Sequence, residues 1–222
     1  MEKNAARLSI VASVIAVISM LALHVTSPEF DPSWHMVSEY TFGSFGWLLT
    51  LFFLCWGIGS WLAAAALVPL LKKAWSRVGI VLLIVAGLGA VMGGLFDARH
   101  NLHGAAFALG VPTLPMAALI LSYSLARTYG TNRKVLLVAA HATWISLVFQ
   151  AVTLALFISA LKSAGAFHPD AREPLIALPA GVFTVVGYAN RLLVGAYIAW
   201  SMVVSRAVIK VQNNRARALS EQ

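Results

Sequence analysis

The chain has 222 residues, 60% hydrophobic and only 11% charged, with a net charge of +8 and a mean hydropathy of +0.82. An ordinary soluble domain runs about 45–50% apolar and about 25% charged, so this surplus of apolar surface cannot be hidden in one globular core. The composition excludes a soluble domain, a disordered chain and a disulfide scaffold, since Cys55 is the single cysteine. A polytopic membrane protein is left, and the positive charge is read as basic loops rather than as an affinity for nucleic acid.

Six apolar stretches are long enough to cross a hydrocarbon core, which takes about 20 helical residues. They run from Leu8 to Val25, Trp47 to Leu71, Val78 to Phe96, His103 to Ala126, Val135 to Leu161 and Leu178 to Val204. Lipid offers backbone groups no partner, so these stretches are expected to be helices, giving an all-α six-helix bundle. Lys3 and Arg7 precede the first stretch, but Leu21, Leu23 and His24 stand where a small-residue cleavage site would be, so it is kept as a span.

Twelve of the sixteen basic residues fall on one side: Lys3 and Arg7, then Lys72, Lys73 and Arg77, then Arg127, Arg133 and Lys134, then Arg206, Lys210, Arg215 and Arg217. Arg99, Lys162 and Arg172 fall on the other. This bias predicts both termini in the cytoplasm and a location in the cell's inner, cytoplasmic membrane. Residues 1–204 read as one transmembrane domain, and 205–222 as a basic tail suited to anionic lipid.

The acids and histidines gather on the opposite, outer side. Asp31-Pro32 is a helix-start signal, an N-cap followed by a proline. A helix starting there would carry His35, Ser38, Glu39 and Phe42 on one face. An inward polar cluster and an interfacial helix anchored by Trp34 and Tyr40 are both compatible with that pattern. After span three, Asp97, His100 and His103 are spaced three apart. His, His and Asp are zinc ligands, and His35 or Glu39 could complete the set or supply a base. The other reading of the stretch is a polar loop in which Asp97 or Asn101 caps span four.

Arg191 lies about 13 residues from either end of span six, ~20 Å at 1.5 Å per residue. A charge so deep costs about 2.5–3.5 kcal/mol and must face the bundle interior with partners. Asn190, Tyr188 and Gln150 are the polar candidates near it. It reads either as an anion-recognising group or as a hydrogen-bond hub between helices. Gly89 and Gly93 have the spacing of close helix packing, Pro112 and Pro115 are expected to kink span four, and no second histidine faces His141 at a haem-like spacing.

Asp31-Pro32, His35, Ser38, Gly43, Gly46, Asp97, His103-Gly104 and the run from Gly187 to Gly195 together resemble the integral membrane family catalogued as domain of unknown function 998. The resemblance covers most of the chain. It implies a six-helix bundle with a distant kinship to Frag1-like lipid-remodelling proteins, and it supplies no established activity. Glu39 and His100 depart from the family pattern, so the resemblance favours His35, Ser38, Asp97, His103 and Arg191 as the shared set.

Three functions follow. The first is an enzyme acting on a lipid at the outer leaflet, a metal-dependent hydrolase with zinc as its candidate cofactor. There Asp97 and His103 would hold a metal or water, His35 and Ser38 would serve proton transfer or oxyanion stabilisation, and Arg191 would hold an anionic head. The second is a binder or transporter of membrane lipids or small molecules, using the same groups. The third is a structural accessory subunit.

Overall fold

The computed structural model describes residues 1–168 and 174–221, so Asp170, Arg172 and Glu173 lie outside the described residues. Six α-helices follow one another: α1 Glu2–Thr26, α2 Gly46–Leu67, α3 Ala74–Leu95, α4 His103–Tyr129, α5 Arg133–Ser163 and α6 Val186–Ser220. All six are long and apolar enough to cross a membrane. A short 3-10 helix, Val37–Phe42, lies between α1 and α2, and no strand occurs among the described residues.

Each helix packs on the next in the chain, and α6 closes the ring against α1. α6 also touches α2 and α4, and is the most enclosed of the six, while α5 packs chiefly on α4 and α6 and leaves most of its surface to lipid. An even number of consecutive spans puts both chain ends on one side. We call that side the basic end, and the side carrying the 3-10 helix the capped end.

The boundaries differ from the apolar runs in one place that matters. Residues 178–185 are apolar but irregular, and α6 begins only at Val186. Arg191 is therefore five residues past the helix start, about 8 Å in rather than at mid-span. At the other end α6 continues unbroken through residue 204 as far as Ser220, with Val208 and Val211 still buried and 213–220 exposed. The tail up to Ser220 is thus an extension of the sixth span.

Small residues set the helix spacing. A Cβ on Gly89 of α3 would stand 2.3 Å from the backbone nitrogen of Gly110 on α4, so the two backbones meet directly. On the α2 side, a Cβ on Gly57 would stand 2.7 Å from the Gly87 carbonyl of α3. The spacing of small residues thus serves contacts inside the bundle.

α4 remains one helix through Pro112 and Pro115. Proline has no N–H, so Pro115 leaves the carbonyl of Val111 without its helical donor. The hydroxyl of the fully buried Tyr197 on α6 donates to that carbonyl at 2.7 Å. Nearby, the buried indole of Trp200 on α6 donates to Ser122 of α4 at 2.9 Å. Replacing Tyr197 by Phe leaves a buried carbonyl unsatisfied, a loss of about 1–3 kcal/mol. In a Pro115→Ala background the helix supplies its own donor, so Tyr197→Phe should then have a much smaller effect. Thermal unfolding of the four proteins in detergent measures the coupling; strictly additive losses would contradict it.

Candidate functional site

The chain between α1 and α2 folds back over the capped end. Asp31 starts this turn by accepting a hydrogen bond from the Ser33 backbone N–H at 2.8 Å, and not by capping a helix. That bond holds the Asp31 carboxyl below its ordinary range, with smaller help from the charges of His35 and Arg191. The group is exposed, so the turn gains from the bond above the usual carboxylate range and loses it as pH falls through the lowered value. The short helix starts only at Val37. His35 precedes it, and the expected four-residue face does not form.

Arg191 holds this turn to α6. Its Nε donates to Nε2 of His24 at 2.6 Å, and one terminal nitrogen donates to the carbonyls of His35 at 2.6 Å, Gly187 at 3.0 Å and Pro32 at 3.2 Å. The other terminal nitrogen donates to the Tyr40 hydroxyl at 2.9 Å. The network assigns the His24 tautomer, because its Nδ1–H donates to the Met20 carbonyl and Nε2 is left to accept. Every partner is neutral. The geometry is that of a hydrogen-bond hub, and its fork reaches α1, the turn and α6 together.

Beside it, the backbone N–H of Gly187 donates to the Ser33 carbonyl at 3.0 Å. A Cβ at Gly187 would come within 2.5 Å of the Pro32 carbonyl and 2.6 Å of the His35 carbonyl, so the position requires glycine. Asn190 accepts from the Val37 backbone N–H at 2.9 Å, which fixes the start of the 3-10 helix. Glu39 closes the same unit by accepting from His35 Nδ1 at 2.8 Å and from the Met36 backbone at 2.9 Å. His35 is buried between Trp34, stacked at 3.6 Å between ring centres, and the edge of Phe30.

Asp97, His100 and His103 do not share a helix face, because residues 96–102 form turns. Asp97 accepts from the Thr41 hydroxyl at 3.1 Å and the Arg99 backbone at 2.9 Å, joining the α3–α4 turn to the 3-10 helix. Nδ1 of His100 accepts from the Leu102 backbone at 3.1 Å. His103 is the first residue of α4, and its Nδ1–H donates to the Phe96 carbonyl at 2.9 Å. Leu102 stands at the helix cap, with no side-chain cap from Asp97 or Asn101. Among the described residues no three His, Cys, Asp or Glu side chains are arranged to hold a metal ion. The donor set read for zinc lacks that geometry, because each of the three side chains is turned to a separate local partner.

What the structure does bring together is Ser38, Asn190 and His103. They line a cavity of about 80 Å³ between the 3-10 helix, α2, α3, α4 and α6. Its body is apolar, formed among others by Phe53, Ala90, Gly93, Ala106, Phe107 and Leu193. Trp56 also lines it, and the buried indole N–H of Trp56 has no hydrogen-bond partner. Composition gave no signal for Trp56, since a tryptophan in an apolar span reads as core. Phe107 is 51% exposed, so the cavity reaches the lipid-facing surface of α4 there. Gln150 lies elsewhere, on α5, with its carbonyl oxygen buried and unpartnered. His141, also on α5, is held by Tyr123 and Trp144.

Residues 10–207 match the model of a family described as protein of unknown function (DUF998). The chain belongs to that family. No curated protein and no solved structure matches it.

The hub yields a sharp expectation. Arg191→Leu leaves several buried acceptors without donors and should remove roughly 3 kcal/mol or more. Arg191→Lys keeps the charge but not the fork, so it should recover little of the loss. Thermal unfolding in detergent checks both, and full rescue by Lys would mean that charge alone matters at this position.

Proposed function

We propose that this membrane protein binds a lipid-like amphiphile at the capped end, and that this end faces out of the cell, a reading the bias of basic residues toward the other end supports. The polar head enters between Ser38, Asn190 and His103, and the chain leaves along Phe107 toward lipid. The observation that carries this reading is a mostly apolar cavity lined also by Ser38, Asn190 and His103, with the unpartnered indole N–H of Trp56, another lining residue, buried beside it. A buried donor without an acceptor loses about 1–3 kcal/mol, and a ligand oxygen would restore it. The amide nitrogen of Asn190 points to the same chemistry, because its oxygen is already taken by Val37. Three donors around an apolar body suit an ester or carboxylate head on a hydrocarbon chain. About 80 Å³ is less than the ~150 Å³ of a benzene-binding cavity, so only the head or a short part of the chain is enclosed.

A hydrolytic role for the same site has one observation in its favour. The Nδ1–H of His103 donates to the Phe96 carbonyl, which leaves Nε2 free to accept a proton, and Ser38 lines the same cavity as His103. In that role His103 would draw a proton from Ser38 or a water as it attacks an ester carbonyl.

Native mass spectrometry with oleate and monoolein tests binding. A Cβ at Gly93 meets nothing nearer than Phe53 at 3.5 Å, so Gly93→Leu can fold while filling the cavity. It should abolish retention of either amphiphile. Trp56→Phe keeps the ring and removes the donor, and should weaken binding about fivefold to tenfold. Unchanged retention in Gly93→Leu would overturn the proposal. Release of oleate from monoolein, lost in His103→Gln while binding persists, would support hydrolysis; no release by the wild type would remove it.

A further inference from the structure

We propose a second binding site, at the opposite end of the bundle, that holds the phosphate of an anionic phospholipid. It is a groove of about 570 Å³ between the start of α3 and the end of α4, lined by Lys73, Trp75, Ser76, Tyr123, Arg127 and Arg133 among others. It is independent of the amphiphile cavity.

The groove's cations are unmatched. No acidic residue lines it, and among the described residues the side chains of Lys73, Arg127 and Arg133 form neither an ion pair nor a hydrogen bond within the chain. Elsewhere at the basic end such groups do find partners: Lys210 donates to Asn132 at 3.1 Å and Arg215 to the Tyr129 hydroxyl at 2.8 Å. The floor of the groove is polar too. Ser76 is only 3% exposed and its hydroxyl has no partner, although it lines the groove. It sits in the first turn of α3, where Lys73 provides no side-chain cap, so the first-turn N–H groups are left for an outside acceptor. A phosphate accepts from hydroxyl, backbone N–H and guanidinium together, and the helix dipole favours its charge.

The occupant is a lipid rather than a soluble anion because of where the groove lies. Trp75 and Tyr123 on its walls are 66% and 49% exposed, and such aromatics sit at the boundary between hydrocarbon and headgroups. A phosphate bound beside them has its acyl chains alongside α3 and α4. Basic pockets between spans at this depth recognise anionic headgroups by the same chemistry.

The purified chain in nanodiscs tests the site. Its thermal stability and the lipid it retains in native mass spectrometry are compared in phosphatidylcholine alone and with added phosphatidylglycerol. Phosphatidylglycerol should raise the unfolding temperature and leave one tightly held copy per chain. Arg127→Gln with Arg133→Gln should weaken that retention by roughly 30-fold. Ser76→Ala, which changes no charge, should weaken it several-fold. The control is Arg206→Gln with Arg217→Gln, which removes the same charge from exposed positions outside the groove and should leave the tight copy in place. Equal loss in the control would show diffuse attraction and overturn the site, as would unchanged retention in both groove variants. Stabilisation by inorganic phosphate in phosphatidylcholine discs, matching that of phosphatidylglycerol, would overturn the lipid as its occupant.

Discussion

The capped end depends on one guanidinium with no carboxylate beside it. A cation among membrane helices is tolerated only when its donors are satisfied, and Arg191 meets that condition with three carbonyls, an imidazole and a phenol. Its acceptors come from α1, the turn before the 3-10 helix, and α6, so satisfying the charge requires those segments to be where they are. The dependence runs both ways. The carbonyls of Pro32 and His35 lie in irregular backbone at a buried place, and such groups need a partner as much as the arginine does. Gly187 and Asn190, one turn and one residue before Arg191, complete the attachment by close approach and by a hydrogen bond to Val37.

The cavity is a consequence of that attachment together with the glycine seam. Gly89 and Gly110 bring α3 and α4 to backbone contact. One turn further toward the capped end stands Gly93, whose missing side chain leaves space instead of a close approach. The 3-10 helix, anchored by Asn190, then covers the space with Val37 and Ser38. The same residue type thus closes the seam at one position and opens a void at the next. The difference lies in what faces it: backbone at Gly89, the ring of Phe53 at Gly93.

The bundle was legible in the sequence because hydropathy and length are what a membrane reads, and each of the six apolar runs contains a span. Family membership was carried by scattered residues such as His35, Asp97 and Arg191, and the match over residues 10–207 bears it out. The site was legible only in part. Hydropathy cannot tell apolar coil from apolar helix, so the run at 178–185 displaced the start of span six and sank Arg191 to a depth it does not occupy. A spacing of three means one face only on a helix, and residues 96–102 are turns, which is why Asp97, His100 and His103 part company. Ser38, Asn190 and His103 come together across three segments, and no spacing rule reaches that far. Trp56 is the hardest to foresee, since only the geometry reveals that its N–H lacks a partner.

The two ends of the bundle solve opposite electrostatic problems. At the capped end a half-buried cation is saturated by protein groups. At the basic end, Lys73, Arg127 and Arg133 surround a hollow with no acid and no acceptor of their own. Like charges around one hollow repel one another, with water screening these exposed side chains. A fold that needed only the asymmetry of basic residues for orientation could have spread these side chains apart. They converge on Ser76, a residue 3% exposed that lines the groove, and on an uncapped helix start. A phosphate at that point turns the repulsion into attraction, and so ties the stability of α3 and α4 to the lipid around them.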